Sequence, residues 1–256
     1  MERARQPPAS SGVLTSTLSN AIQALGRGFD ITFDTRLLYC KGTLGSRLVL
    51  VDNERTREVV ISDDGGVVLP DVSIDIDILR ERSRRETTRV CSFQEMAKYF
   101  NEKSGLSENV PLGNFNSMFS FTGSWKIDAA ATKALAMYGY SIPLYKVKLT
   151  NAELVLREDV RRAVPRSWDP SSLASFIENF GTHIITSVTV GGKDEVYIKQ
   201  HHSSQLSASD IKKYVEDIGD QRFLSLGSQS DAASYNYKDK IADPSLLNNC
   251  DMHSYL

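Results

Sequence analysis

Cysteine is scarce in this 256-residue sequence, and the three present (Cys40, Cys91 and Cys250) lie far apart. An odd number at such separations closes no disulfide framework, and no Cys-x-x-Cys or Cys/His pair has zinc-ligand spacing. No Asn-x-Ser/Thr sequon occurs, and the first 25 residues hold no apolar signal core. No apolar run reaches the roughly 18 residues of a membrane-spanning helix. These absences set the expectation of an intracellular, cytoplasmic protein in a reducing compartment, with peripheral plasma-membrane association at most. Charge of one sign is also lacking: the net charge is −2, which argues against nucleic acid as a partner. Nucleotide and hydrolase motifs are missing too. "LGRGFD" carries two of three Rossmann glycines with no strand before it, and there is no Walker loop, G-x-S-x-G or H-E-x-x-H. Asp71, Asp75 and Asp77 lack the spacing and the glycine of a calcium loop and read as a solvated strand face. The expectation is a protein with no cofactor, no metal and no enzymatic activity.

What the chain does contain is a folded composition, 41% hydrophobic and 24% charged, long enough to bury a sizeable core. Residues 1–14 are polar and Pro/Ser-rich and are expected to be disordered. A helix is predicted from Thr15 to Leu25, stopped by Gly26 and Gly28. "DITFDTRLLYC", "RLVLVD" and "REVVIS" are short β-rich runs, "SDDGG" is a turn, and Ile74, Ile76 and Ile78 alternate with aspartates as in a half-buried strand. The run "RERSRRETTR" reads as a solvated loop, its arginines interleaved with Glu81 and Glu86. Ser92 and Glu95 form a capping box that opens a helix to Gly105. "KIDAAATKALAMYG" predicts a helix stopped at Gly139, and "YSIPLYKVKLT" a strand. Asp169 as N-cap with Pro170 at N1 opens a helix whose Leu173, Phe176, Ile177 and Phe180 are expected to face the core. "SASDIKKYVEDIGDQRF" is a capped amphipathic helix, and the last 20 residues or so read as an unstructured tail. The order is α+β, with mostly antiparallel strands and helices inserted in blocks.

Two stretches stand out as candidate sites. In "ENFGTHIITSVTVGG" a helix stop, Gly181, runs into Thr182 and His183, and Gly191-Gly192 interrupts the strand that follows. Glycine within a strand marks a bulge, a bend or a close backbone approach. A single histidine without a matched nucleophile reads as a packed, hydrogen-bonded residue, so the constellation is expected to shape a sheet. In "VPLGNFNSMFSFTGSW", Phe115, Phe119 and Phe121 recur at even spacing among small polar residues, ahead of Trp125. The stretch is neither a good helix nor a clean strand. It suits a segment that changes state or a membrane-inserting strand, and equally a loop packed on the core.

"FIENFGTHIITSVTVGG" resembles the signature of the membrane attack complex/perforin (MACPF) family, with Phe180, Gly181, Thr182, His183, Gly191 and Gly192 in its places. Phe180 stands where Tyr or Trp is commoner, and Ile184 where an aromatic is usual. "ALGRGFDIT", "RLVLVD", "VPLGNFNSMFSFTGSW" and "GGKDEVYIKQHHSSQLSASDIKKYVEDIGDQRF" are similar to plant MACPF proteins of the constitutively activated cell death and necrotic spotted lesions group. The resemblance covers residues 15–240. It implies a bent antiparallel sheet of MACPF/cholesterol-dependent-cytolysin type with two flanking helical clusters, one over about 91–139 and one beginning near Ser207. Phe115, Phe119, Phe121 and Trp125 would then lie in the first membrane-insertion segment. The implied function is restraint of salicylic-acid-dependent programmed cell death in plant immunity, through membrane lipid or through homo- or hetero-oligomers with longer relatives. The alternative is a soluble interaction module that never inserts. Residues 241–256 match nothing expected of the family. A C-terminal truncation is therefore expected, with the second half of the fold incomplete, the fourth strand missing and an open edge beside Val188–Ile198.

Overall fold

Alternation between β-branched runs and well-capped helical segments produces a fold in which helices interrupt a sheet at its strand connections. The computed structural model describes residues 9–33, 39–43, 45–61, 66–81, 85–106, 110, 112–150, 153–224 and 250–255. Residues 62–65 of the sharp turn expected at 62–66 and most of the segment after Leu224 lie outside the described residues. In chain order the elements are α1 (Ala9–Ala24), β1 (Gly28–Phe29), β2 (Thr56–Ile61), β3 (Val67–Ser73), β4 (Ile76–Arg80) and β5 (Arg85–Cys91). Then come α2 (Phe93–Lys103), α3 (Gly113–Met118), α4 (Trp125–Ala131), β6 (Thr132–Leu149), α5 (Glu158–Ala163) and α6 (Pro170–Phe180). The chain continues through β7 (His183–Ile184), β8 (Ser187–His201), α7 (Ala208–Leu224) and β9 (Cys250–Tyr255).

The main sheet has the order β4-β6-β8-β9, with β5 pairing a second stretch of β6. β4 pairs antiparallel with Tyr145–Leu149, and β5 with residues 135–141 of the same strand. β9 returns antiparallel to β8, with Glu195 opposite Tyr255 and Gln200 opposite Cys250. The expected tail therefore supplies the fourth rank of the sheet, and β8 has a partner where an open edge was expected. Two small antiparallel pairs, β2–β3 and β1–β7, complete the strand set among the described residues.

Contacts divide the chain into two units, Met1–Arg82 with Pro143–Gly191, and Ser83–Ile142 with Gly192–Leu256. The glycine pair thus straddles a division, Gly191 belonging to the first unit and Gly192 to the second. In the first unit, Leu18, Ala21 and Leu25 pack with Ile61, Val67, Leu69, Val72, Ile76, Tyr145, Val147 and Val190. In the second unit the central stretches of β6 and β8 are buried on both faces. Ala136, Tyr138, Val196 and Ile198 pack with Ile211 and Val215 of α7, while their neighbours of opposite parity, Leu135, Met137 and Tyr197, are also buried. Strands covered on both faces read as continuous apolar runs.

Several expectations are corrected. α1 starts at Ala9, inside the stretch expected to be disordered. The helix predicted to reach Gly139 ends at Ala131, and "TKALAMYG" opens the 18-residue β6. Its Ala, Lys, Leu and Met favour a helix locally, yet pairing with β5 on one side and β8 on the other prevails. Most of the arginine run is strand: Arg80 ends β4, and Arg85 and Arg89 lie in β5, while residues 82–84 fall outside the described residues. "RLVLVD" makes only an isolated bridge, Val49 to Leu156, and "DITFDTRLLYC" forms no strand beyond Phe29 among its described residues. The α6 stripe is not core. Leu173, Phe176, Ile177 and Phe180 are half-buried, and no residue of the helix is buried. An amphipathic pattern identifies the apolar face of a helix but not whether anything covers it.

Candidate functional site: the signature clasp and the helical inserts

α6 starts where Asp169 accepts a hydrogen bond from the Ser172 amide at 2.8 Å, with Pro170 in the first turn. It stops at Gly181, whose φ of 81° and ψ of −174° are open essentially to glycine alone. The turn lets the chain run against β1. The register sets Gly28 opposite Ile184 and Phe29 opposite His183. The Phe29 carbonyl accepts from the Thr182 amide at 3.0 Å and from the Thr182 hydroxyl at 3.2 Å. The Ile31 amide donates to the same hydroxyl oxygen at 3.3 Å. Two glycines make this approach possible. A Cβ on Gly28 would lie 1.8 Å from the Phe180 carbonyl oxygen, and one on Gly181 would lie 2.6 Å from the Phe29 nitrogen. "GRGFD" and "FGTH", 153 residues apart at Phe29 and Thr182, are therefore two halves of one clasp.

The clasp is tied down further by Arg27, only 7% exposed. Its guanidinium donates to the carbonyls of Cys40, Lys41 and Gly42 at 2.9, 3.1 and 2.6 Å. His183 departs from expectation: it is exposed, with Nδ1 3.0 Å from the Thr182 hydroxyl. β7 is only two residues long, and its pairing with β1 is carried by the backbone. Gly192 also differs from a site of close approach, because a Cβ there would meet no heavy atom within 4 Å. Burial pushes both described thiols up, that of Cys91 to about 11 with Glu95 adding to the rise. Neither is therefore a ready thiolate. Among the described residues no cluster of three or more His, Cys, Asp or Glu could hold a metal ion.

Two segments interrupt paired strands. Residues 92–131 join β5 to β6, and residues 202–249 join β8 to β9. Each is more than twice the about 9–11 residues of a barrel-spanning strand. The first insert opens with the expected capping box. Ser92 Oγ accepts from the Glu95 amide at 3.3 Å, and Glu95 accepts from the Ser92 amide at 2.9 Å. That backbone bond, with the Ser92 hydroxyl second, holds the Glu95 carboxyl below its ordinary range. α4 passes into β6 with no residue between them. No helix among the described residues is long and apolar enough to cross a membrane.

The four aromatic candidates of the first insert converge. Phe93 lies edge-on to Phe115, Phe121 and Trp125 at 5.2, 5.0 and 4.9 Å, and Phe115 meets Phe119 at 5.5 Å. Phe115 and Phe119 are fully buried; Phe121 and Trp125 are half-buried. Here the ambiguous stretch is a short helix and a turn, and its even spacing builds a cluster rather than a strand face. Phe100 and Phe119 carry the cluster onto Tyr197 of β8, with centroids 6.1 and 5.3 Å away.

Sequence reasoning missed Glu195, next to that contact. Its side chain is only 5% exposed. Oε1 lies 3.1 Å from Lys103 Nζ at the end of α2, and Oε2 lies 2.5 Å from Lys193 Nζ and accepts from the Tyr197 hydroxyl. Burial works to raise this carboxyl's pKa, but Lys193 and Lys103 outweigh it and hold the group below its usual value. The available signal was "DEVYIKQ" in a strand flanked by two helical inserts, since cover on both faces leaves a carboxylate no solvated side.

A sheet whose strand connections are two helical inserts, with a Gly-Thr-His clasp at the end of α6, defines a perforin-like protein. The MAC/Perforin domain family profile matches residues 10–255, and the chain belongs to that family. The match takes in β9 and most of the residues that resembled nothing in sequence. The chain is 58% identical over 231 residues to the Arabidopsis thaliana MACPF domain-containing protein CAD1, covering 90% of this chain and 41% of that protein. It is 39% identical over 228 residues to Arabidopsis thaliana NSL1, covering 88% of this chain and 37% of that protein. The chain thus spans about two fifths of the length of these relatives. The crystal structure of GNIP1Aa from Chromobacterium piscinae superposes with a TM-score of 0.59 at 16% identity, over 92% of this chain and 43% of that one. That likeness concerns the fold alone.

Proposed function

We propose that this chain is a non-enzymatic, intracellular MACPF protein that restrains salicylic-acid-dependent programmed cell death in plant immunity. It acts by associating with membrane lipid or with longer MACPF relatives. The observation that carries the reading is the 58% identity to CAD1 across 90% of the chain, in a fold that keeps both inserts between paired strands. The protonated thiols and the exposed His183 fit a protein without nucleophilic chemistry.

The test is expression of the chain in an Arabidopsis line lacking CAD1, with lesions and salicylate measured. Fewer lesions and lower salicylate are the expected result. Undiminished lesions in plants that accumulate the folded chain overturn the reading. A second reading, a soluble interaction module, is favoured by the half-buried apolar stripe of α6 and by Trp168, 91% exposed just before it. Flotation with anionic vesicles separates the membrane form of the first reading, which predicts co-migration with lipid, from the second, which predicts none.

A further inference from the structure

Three observations meet at Glu195. The carboxylate is buried in the second unit, and its Lys103 partner is the last residue of α2 while its Lys193 partner shares β8. Room for it exists because the facing residue of β6 is a glycine: a Cβ on Gly139 would come 2.9 Å from Glu195 Cγ. Lys103 is itself half-exposed, at 47%, and its ammonium lies 5.8 Å from the Tyr99 ring.

We propose that Glu195 and Lys103 form a latch that holds the first helical insert against β8, and that opening this pair is the step that frees α2–α4 from the sheet. The pair is an ion pair that joins the insert to the strand behind it; aromatic packing on Tyr197 and the Lys199 ammonium, 5.7 Å from the Phe121 ring, complete the tie. Lys193 has a different part. It belongs to the strand, so it balances the carboxylate whether or not α2 is docked. The groups facing Glu195 are Lys103 from α2, Lys193 and Tyr197 from β8 and the backbone of Gly139 from β6, and Tyr255 of β9 is its register partner. A pair that can part without stranding an unbalanced charge opens more readily than an isolated buried pair, which resists loss of either partner. The cationic end also sits at a helix C-terminus, where positive charge is favoured, so the closed arrangement is stable without being sealed.

The latch deepens the membrane-associating reading above, but its test does not depend on it. Hydrogen exchange is measured on the whole chain for Lys103→Gln, Lys103→Arg and Glu195→Gln. Lys103→Gln is expected to speed exchange across α2–α4 about tenfold and leave α7 within about twofold of the parent. Lys103→Arg restores protection, and Glu195→Gln behaves as Lys103→Gln. Equal acceleration of α2 and α7 would show general loosening of the unit and overturn the latch. So would unchanged α2 exchange in Lys103→Gln, a partly exposed position where misfolding is not at issue. Flotation with anionic and with neutral vesicles is then run on the same variants. Faster α2 exchange without greater vesicle capture leaves the latch standing and removes the membrane reading.

Discussion

Replacing Gly28 with alanine puts a methyl carbon 1.8 Å from the Phe180 carbonyl oxygen and 2.8 Å from its carbon, both backbone atoms at the end of α6. Backbone cannot rotate aside as a flexible side chain can, so β1 and β7 must separate. Overpacking of this kind costs about 1–3 kcal/mol, and separation also weakens the two bonds that Thr182 makes to the Phe29 carbonyl, at about 1 kcal/mol each. The sum is about 3–5 kcal/mol, which in a chain of this size lowers the melting temperature by roughly 6–20 °C. Gly181→Ala meets the same wall from the other side, 2.6 Å from the Phe29 nitrogen at a φ of 81°, and should cost a similar amount. Because both substitutions break one contact, the double variant should cost little more than either single one. Gly192→Ala, with no heavy atom within 4 Å, should stay within about 0.5 kcal/mol of the parent. Urea unfolding followed by circular dichroism gives all four numbers. A Gly28→Ala protein as stable as the parent, or additive costs in the double variant, would refute the clasp.

Phe115→Ala should lower the stability of the second unit by about 3–5 kcal/mol, because a fully buried ring touching Phe93, Phe100 and Phe119 leaves a void; denaturant unfolding measures it, and a cost under about 1 kcal/mol contradicts the packing described. The Glu195 carboxyl is held below its ordinary value, so its stabilisation is fully present above the unfolded carboxylate pKa and is lost as pH falls through the folded one. α2 protection should therefore hold from neutral pH through mild acid and fall only below the usual carboxylate range, and parent and Glu195→Gln should converge there. In native-state hydrogen exchange, α2 and α7 should open before the central stretch of β8, which is paired on one side with β6 and on the other with β9; simultaneous opening argues against separable inserts.

What was legible in the sequence was local. The N-caps at Ser92 and Asp169, the stops at Gly105 and Gly181, and the Gly-Thr-His junction each rest on a few adjacent residues whose geometry is self-contained. The misses were tertiary. "TKALAMYG" carries helix formers and becomes strand because neighbours on both sides pair with it. "CDMHSY" has no β-branched residue to mark it, and its strand character comes from β8. The role of the phenylalanines was open between a changing segment and a packed one because even spacing fits both, and only the positions of Phe93 and Phe100 show how the rings assemble. The mate of the signature, Gly28-Phe29, was visible as a helix stop but not as a partner for Gly181, since nothing local signals a contact across 153 positions.

The two tryptophans occupy opposite surroundings: Trp168 is 91% exposed, whereas Trp125 is half-buried with its ring edge-on to Phe93 at 4.9 Å. The molecule therefore carries its own optical gauge. Trp168 emits from water and is open to iodide or acrylamide, and Trp125 emits from among aromatic rings and is shielded. A Trp168→Phe protein has a single emitter, and the colour of that emitter reports whether the first insert is docked or gone, in solution or on a vesicle, with no dye attached.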